Sequence, residues 1–262
     1  MSNAVMPLSD YKDTCDKIRE KTASTDNIKS GELADKVNEV YEKGKQAEYD
    51  MFWDNFQKNG TRQSYAYAFY SNVWDDKIFR PKYDLVPTNA TAMFKGAKLN
   101  ELTSETIGVN IDFSKATTSV ELFNSANIKK IGIVDLSSIT GSNGQGTFGY
   151  NYYTETIEKL VLHENMEFTN FFAWSNAFKS ITVEGIIARS ISIHASQSLD
   201  KPSIISFINA LSTTESGRTF TVNKTAINNA FETASGTADG STSEEWLNLV
   251  ATKPNWTISL ST

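Results

Sequence analysis

At 262 residues, with 39 % hydrophobic and 21 % charged content, the chain has the makeup of a folded protein of one large or two modest domains. Its formal charge is −6 and no Lys/Arg cluster stands out, so the electrostatic footprint of a nucleic-acid-binding protein is missing. One cysteine and two histidines leave no disulfide framework and no zinc spacing, and without a catalytic or cofactor-binding signature no metal or cofactor is expected.

The first thirty residues are polar and charged, without the apolar stretch of a secretory signal, and nowhere do ~18 apolar residues run together. The expectation is a protein made in the cytoplasm that does not insert into a membrane. From residue 9 to residue 60 the periodicity is helical. Tyr11, Cys15 and Ile18 share one face, and Cys15, with no cationic neighbourhood to activate it, reads as a plain helical residue. A second run carries Leu33, Val37, Val40 and Tyr41 and should end or kink near Gly44. A third, residues 48–57, carries Tyr49, Phe52, Trp53 and Phe56 and stops at Asn59-Gly60. Residues 64–83 alternate tyrosine with alanine before Trp74 and Phe79. Such aromatics could serve a sugar or a base, but the alternation suits a buried seam that fixes the helices onto the repeats downstream.

Between Thr88 and Val183 one phrase keeps returning, an aromatic residue followed by apolar residues at i, i+3 and i+5. Phe94 leads to Leu99 and Leu102; Phe123 to Ile128, Ile131 and Ile133; Tyr152 to Ile157, Leu160 and Leu162; Phe172 to Phe178, Ile181 and Val183. The segment from Ile111 to Thr117 matches that from Val134 to Thr140 at an offset of 23, while Leu99, Ile128 and Ile157 are 29 apart. The expected period is therefore 23 with six-residue insertions, one of them around Gly141–Gly146, and the last step, Ile157 to Phe178, is 21. Each phrase predicts a short strand, and Gly96, Ser125, Thr154 and Ser175 a tight bend ahead of it. Such strands hold only when stacked on their neighbours.

After Ile193 the pattern changes. Pro202 opens a helix over residues 203–211; a strand over 219–222, a helix over 225–231, a Gly/Ser/Thr loop over 234–243, a helix over 244–251 and a strand over 256–260 come after it. A compact region of this kind caps an exposed terminal repeat.

The run from Ile111 to Phe123, followed by Ile128-Lys-Lys-Ile131, resembles the BspA-like class of bacterial leucine-rich repeats over residues 84–200. The stretches Asp26–Ala34, Glu48–Asp54, Gln57–Arg62 and Phe79–Pro87, with Ile204–Leu211 and Asn223–Phe231, are similar to repeat proteins encoded among tail genes of phages and prophages of Gram-positive gut bacteria. The resemblance implies an α+β chain: a helical and aromatic N-terminal region (residues 1–83), a short leucine-rich-repeat solenoid (84–200) and a compact α/β C-terminal cap (201–262). It further implies a virion or tail component that does no chemistry. Its partners would be other tail proteins or a host surface protein or glycan, and symmetric tail rings would make it a homo-oligomer.

Other constellations are weaker. His163, His194, Asp112, Asp135 and Glu164 fall after predicted strands, where solvated strand ends account for them without catalysis, and Gly141–Gly146 lacks the Lys-Ser/Thr ending of a phosphate loop. The best recognition candidates are the aromatics around that insertion: Phe148, Tyr150, Tyr153, Phe171 and Trp174. Tyr152 and Phe172 take the repeat's aromatic core position. A bacterial surface adhesin built from the same repeats is the alternative, and a cell-wall glycan hydrolase, which would need paired carboxylates in a cleft, a third.

Overall fold

The structure, a computed structural model, describes residues 33–74, 79–231 and 239–262. The chain forms two compact units, Met1–Asn59 and Gly60–Thr262. Among the described residues of the first, one continuous helix, α1 (Leu33–Gln57), spans the second and third expected runs. Gly44 lies inside it without ending it: one glycine costs ~1 kcal/mol of helix propensity, which a 25-residue helix absorbs. Phe52 and Phe56 stack one turn apart at 5.7 Å. The helix stops where expected. Lys58 and Asn59 take left-handed backbone angles, and the Asn59 N–H closes on the Asp54 carbonyl at 2.9 Å. The run expected around Tyr11, Cys15 and Ile18 lies outside the described residues.

The second unit is mixed α/β with two parallel sheets. In the first, β1 (Lys98–Leu102), β2 (Asn127–Leu136), β3 (Thr156–Leu162) and β4 (Ser180–Gly185) lie side by side in chain order. The second holds β5 (Ile191–Ile193), β6 (Arg218–Asn223) and β7 (Trp256–Ser261), also in order. Between them come α2 (Ser104–Ile107), α3 (Lys201–Ala210), α4 (Lys224–Ala230) and α5 (Glu244–Ala251). The predicted C-terminal helices and strands all form, within one or two residues of their expected ends.

The strand register corrects the repeat spacing. Leu102 faces Ile131 at an offset of 29, as expected, but Ile131 faces Ile157 and Val134 faces Leu160 at 26. Ile157 then faces Ile181 at 24 and Leu160 faces Val183 at 23, across a bulge. β2 contains two overlapping copies of the i, i+3, i+5 phrase. Ile128 and Ile131 of the first copy face Leu99 and Leu102 of β1, whereas toward β3 the aligned copy is Ile131/Val134/Leu136; Ile133 is 53 % exposed and lies outside the core.

The aromatic core position is corrected as well, for the pass that leads into β3. Phe69, Phe94, Phe123, Phe148 and Phe172 form one column, with successive centroids 5.1, 5.6, 5.3 and 5.5 Å apart. Backbone hydrogen bonds between the successive turn segments that carry these rings, as from Phe94 N to Leu122 O and Phe123 N to Thr147 O, hold them at the ~4.8 Å spacing of the adjoining strands and so set an offset stack. Phe148 is fully buried in the column, whereas Tyr152, expected there, is 48 % exposed. Phenylalanine has no polar edge to keep in water; tyrosine has. The column also reaches Phe69, so the aromatic seam before residue 84 is itself a pass of this stack. Its Tyr65, Tyr67 and Phe69 N–H groups bond to Asn89, Thr91 and Met93 carbonyls.

The outer edge of β4 is covered by α3. Ser203 and Ser206, one helical turn apart, take the place of a next strand: their hydroxyls accept from the Ile181 N–H at 2.8 Å and the Val183 N–H at 3.1 Å. An edge so occupied cannot pair with another chain. Asp200 caps α3 by accepting from Ser203 N, with Pro202 in its first turn.

The far end of α3 is held by Lys253, only 8 % exposed, whose ammonium donates to the Asn209 and Leu211 carbonyls at 3.0 and 2.5 Å. A cation at a helix C-terminus is favourable, but burial lowers its pKa below the ordinary lysine value. The folded chain therefore holds fewer protons than the unfolded chain between the lowered pKa and ~10.4. The cost of charging Lys253 applies in full below that window and is relieved as pH rises through it. Denaturant titrations from pH 8 to 10.5 should show wild type gaining stability relative to Lys253→Met, and a difference independent of pH would contradict this.

Candidate functional site

Each pass of the chain through the Phe column is bent by two left-handed residues four apart, with the phenylalanine midway. The pairs are Tyr67/Ser71, Ala92/Gly96, Glu121/Ser125, Gly146/Tyr150 and Asn170/Trp174. Alternate N–H groups reach the next pass, as from Phe94 to Leu122, Phe123 to Thr147 and Phe148 to Phe171, while those between close tight turns within the pass. Thus Gly141–Gly146 is no insertion: Gly146 is the counterpart, one pass on, of Glu121. The bend position after the phenylalanine is Tyr150, not Thr154, and in the next pass Trp174, not Ser175.

This second left-handed column runs along the surface. Ser71, Ser125, Tyr150 and Trp174 are exposed in it, the last two at 47 % and 60 %. A bulky side chain held at positive φ costs ~1–2 kcal/mol that glycine avoids, and Gly96 shows glycine fitting the same place. Tyr150 and Trp174 thus keep large aromatic rings turned to water at positions where the backbone angle costs stability. Tyr150→Gly and Trp174→Gly should therefore leave stability unchanged or raise it by up to ~1 kcal/mol, read by chemical denaturation.

Of the five recognition candidates, Tyr150, Tyr153 and Trp174 are exposed. Phe148 and Phe171 are 0 % and 1 % exposed and pack edge to face at 5.5 Å, which places them in the core and off any surface. Tyr152 joins the exposed set.

The turn carrying Tyr150, Tyr152 and Tyr153 is held from beneath by buried polar groups. Asn151, fully buried, accepts from the Thr154 N–H at 2.9 Å, and its own N–H donates to Ser175 Oγ at 3.2 Å. Thr154 Oγ1 donates to the Ile128 carbonyl at 2.6 Å, Ser175 Oγ to the Phe148 carbonyl, and Ser196 Oγ to the Ser175 carbonyl at 2.7 Å. Every partner lies in a neighbouring pass or in the turn itself, so the aromatics are positioned by the rigid stack.

Cavities lie on both sides of this turn. A smaller one of about 210 Å³ is lined by Tyr150, Glu121, Asn124, Gln145 and Asn170. The larger, about 510 Å³, runs along the first residues of β1 and β2, with Trp74 at one end and Tyr153 with Glu155 at the other. Its floor is Lys98, Asn100, Asn127 and Lys129. Trp74 was legible only as part of an aromatic seam; nothing in the sequence pairs it with Tyr153, which lies far along the chain.

The outward strand face beside the groove is laced with ion pairs between passes: Lys130–Glu158 at 2.7 Å, Lys159–Glu184 at 2.8 Å and Lys179–Glu155 at 2.9 Å. The hydrogen bond from Lys179 holds the Glu155 carboxyl below its ordinary range, and the Lys129 charge adds to it, against a smaller opposing effect of burial. Among the described residues no ion pair engages Lys98.

The weaker constellations resolve into local structure. Asp112 and Asp135 accept from the N–H of Ser114 and Ser137, each at 2.9 Å, and so form matching turns at strand ends. His163 Nδ1 accepts from Asn165 N at 3.0 Å, and His194 Nδ1 lies 2.8 Å from Ser192 Oγ. Among the described residues no group of three or more His, Cys, Asp or Glu side chains is placed to hold a metal ion, and no helix is long and apolar enough to cross a membrane. No known protein family, no characterised protein and no solved structure matches the chain.

Proposed function

We propose that this is a binding protein that performs no chemistry, a structural or host-attachment component of a phage tail. In this proposal the passes of residues 63–185 form a short BspA-like leucine-rich-repeat solenoid, and the exposed aromatic turn with Trp174 is its recognition surface. The observation that carries the proposal is the placement of Tyr150 and Trp174: exposed, in adjacent passes, at backbone positions where aromatics cost stability. The buried network of Asn151, Thr154 and Ser175 supports it, since a surface fixed before contact loses little entropy on binding. The phage context rests on the sequence resemblance and is tested by mass spectrometry of purified particles from an induced lysogen carrying the gene. The protein is expected among the virion components. Detection on host cells, never in particles, would overturn the tail assignment in favour of the adhesin.

A further inference from the structure

We infer that the groove between Trp74 and Tyr153 binds an acidic saccharide chain, its rings lying against the two aromatics and its anionic groups at Lys98 and Lys129. The inference rests on the proposal that the stacked passes present a binding surface, but not on where the protein is found.

The dimensions come from the architecture. Trp74 precedes β1 by one pass, its N–H bonded to the Lys98 carbonyl at 2.9 Å, and Tyr153 enters β3, two passes after β1. Three steps of ~4.8 Å put the aromatic ends ~14 Å apart, which suits an oligomer better than one ring. The volume of about 510 Å³ is that of a ligand site.

The lining selects the chemistry. Aromatic faces accept the C–H face of a sugar, while Asn127 offers a planar amide that can donate and accept toward hydroxyls. Among the described lining residues only Leu99 is aliphatic, and it is 5 % exposed, so the floor does not suit an apolar ligand. A peptide strand is disfavoured because backbone groups here are already bonded between passes, such as Asn127 N to Ala97 O at 2.7 Å and Glu155 N to Lys129 O at 2.8 Å. A nucleic acid is disfavoured by the chain's net charge of −6. Among the described lining residues Lys98 and Lys129 stand against one carboxylate, Glu155, which Lys179 already pairs, so these residues bring an excess positive charge on an acidic protein. Carboxylates of uronic acids and phosphodiesters of sugar-phosphate polymers share the required chemistry.

Calorimetric titration of the full chain with sodium polygalacturonate, a phosphomannan (a mannose polymer carrying phosphodiesters) and neutral dextran tests the inference. At least one acidic polymer should bind and dextran should not, and which acidic polymer binds identifies the source of the charge. Tyr153→Ala and the double variant Lys98→Glu/Lys129→Glu alter exposed side chains, and each should weaken binding about tenfold or more with circular dichroism and Tm unchanged. The inference is overturned if neither acidic polymer binds, if dextran binds as tightly, or if the folded double variant keeps wild-type affinity. Any of these with the protein still present in particles refutes the saccharide site alone.

Discussion

Phe148→Ala is expected to lower the unfolding free energy by ~3–5 kcal/mol, the range for truncating a fully buried phenylalanine. Phe148 is the central ring of its neighbourhood: it stacks on Phe123 at 5.3 Å and on Phe172 at 5.5 Å and meets Phe171 and Phe178 edge to face. The cavity cannot collapse readily, because the rings above and below are tied to parallel strands whose spacing is set by backbone hydrogen bonds. Tyr152→Ala is the matching control. The spacing of apolar residues nominates Tyr152 for the column, yet its exposure predicts a change within about 0.5 kcal/mol. Guanidinium unfolding of both variants decides the matter: if the two lose equally, the column assignment fails.

The second large effect is expected at Gly185, where the chain leaves β4 and turns toward the second sheet. Its φ of +89° is one that only glycine adopts freely, and a Cβ there would lie 2.1 Å from the Leu162 carbonyl oxygen. Leu162 is its register partner in β3, so the clash is with backbone already committed to the sheet and cannot be relieved by a side-chain rotation. Gly185→Ala should cost about 2–5 kcal/mol, combining left-handed strain with overpacking. Because Ile187 next pairs with Leu211, the disturbance should pass into α3 and β5. Faster amide exchange at Ile181 and Val183 would record that, whereas a wild-type melting temperature would refute the account.

The strands are legible in the sequence because a half-buried strand must alternate, and the C-terminal helices because Asp200, Asn223 and Ser243 cap them where the apolar period begins. The matching turns at Asp112 and Asp135 are legible for the same local reason. Register is not, since β2 satisfies the phrase in two frames and only contact with β3 chooses between Ile133 and Val134. The left-handed columns leave almost no trace in composition: glycine marks the bend at Gly96, but Ser125, Tyr150 and Trp174 occupy the equivalent place. The recognition candidates divide along the same line. Tyr150, Tyr153 and Trp174 reach the surface, while Phe148 and Phe171 are claimed by a core whose column spacing, once found, would have shown it. The groove is least legible, because its ends are joined only by the stacking of three further passes.

The alternation of a buried phenylalanine with a surface residue two positions later separates two kinds of inheritance. Every pass needs the ring to keep its place, but at the bend it needs only a backbone angle, which serine, glycine, tyrosine and tryptophan all supply here. A lineage could therefore rewrite that outer row one residue at a time, changing what the molecule meets while its interior stays as it was.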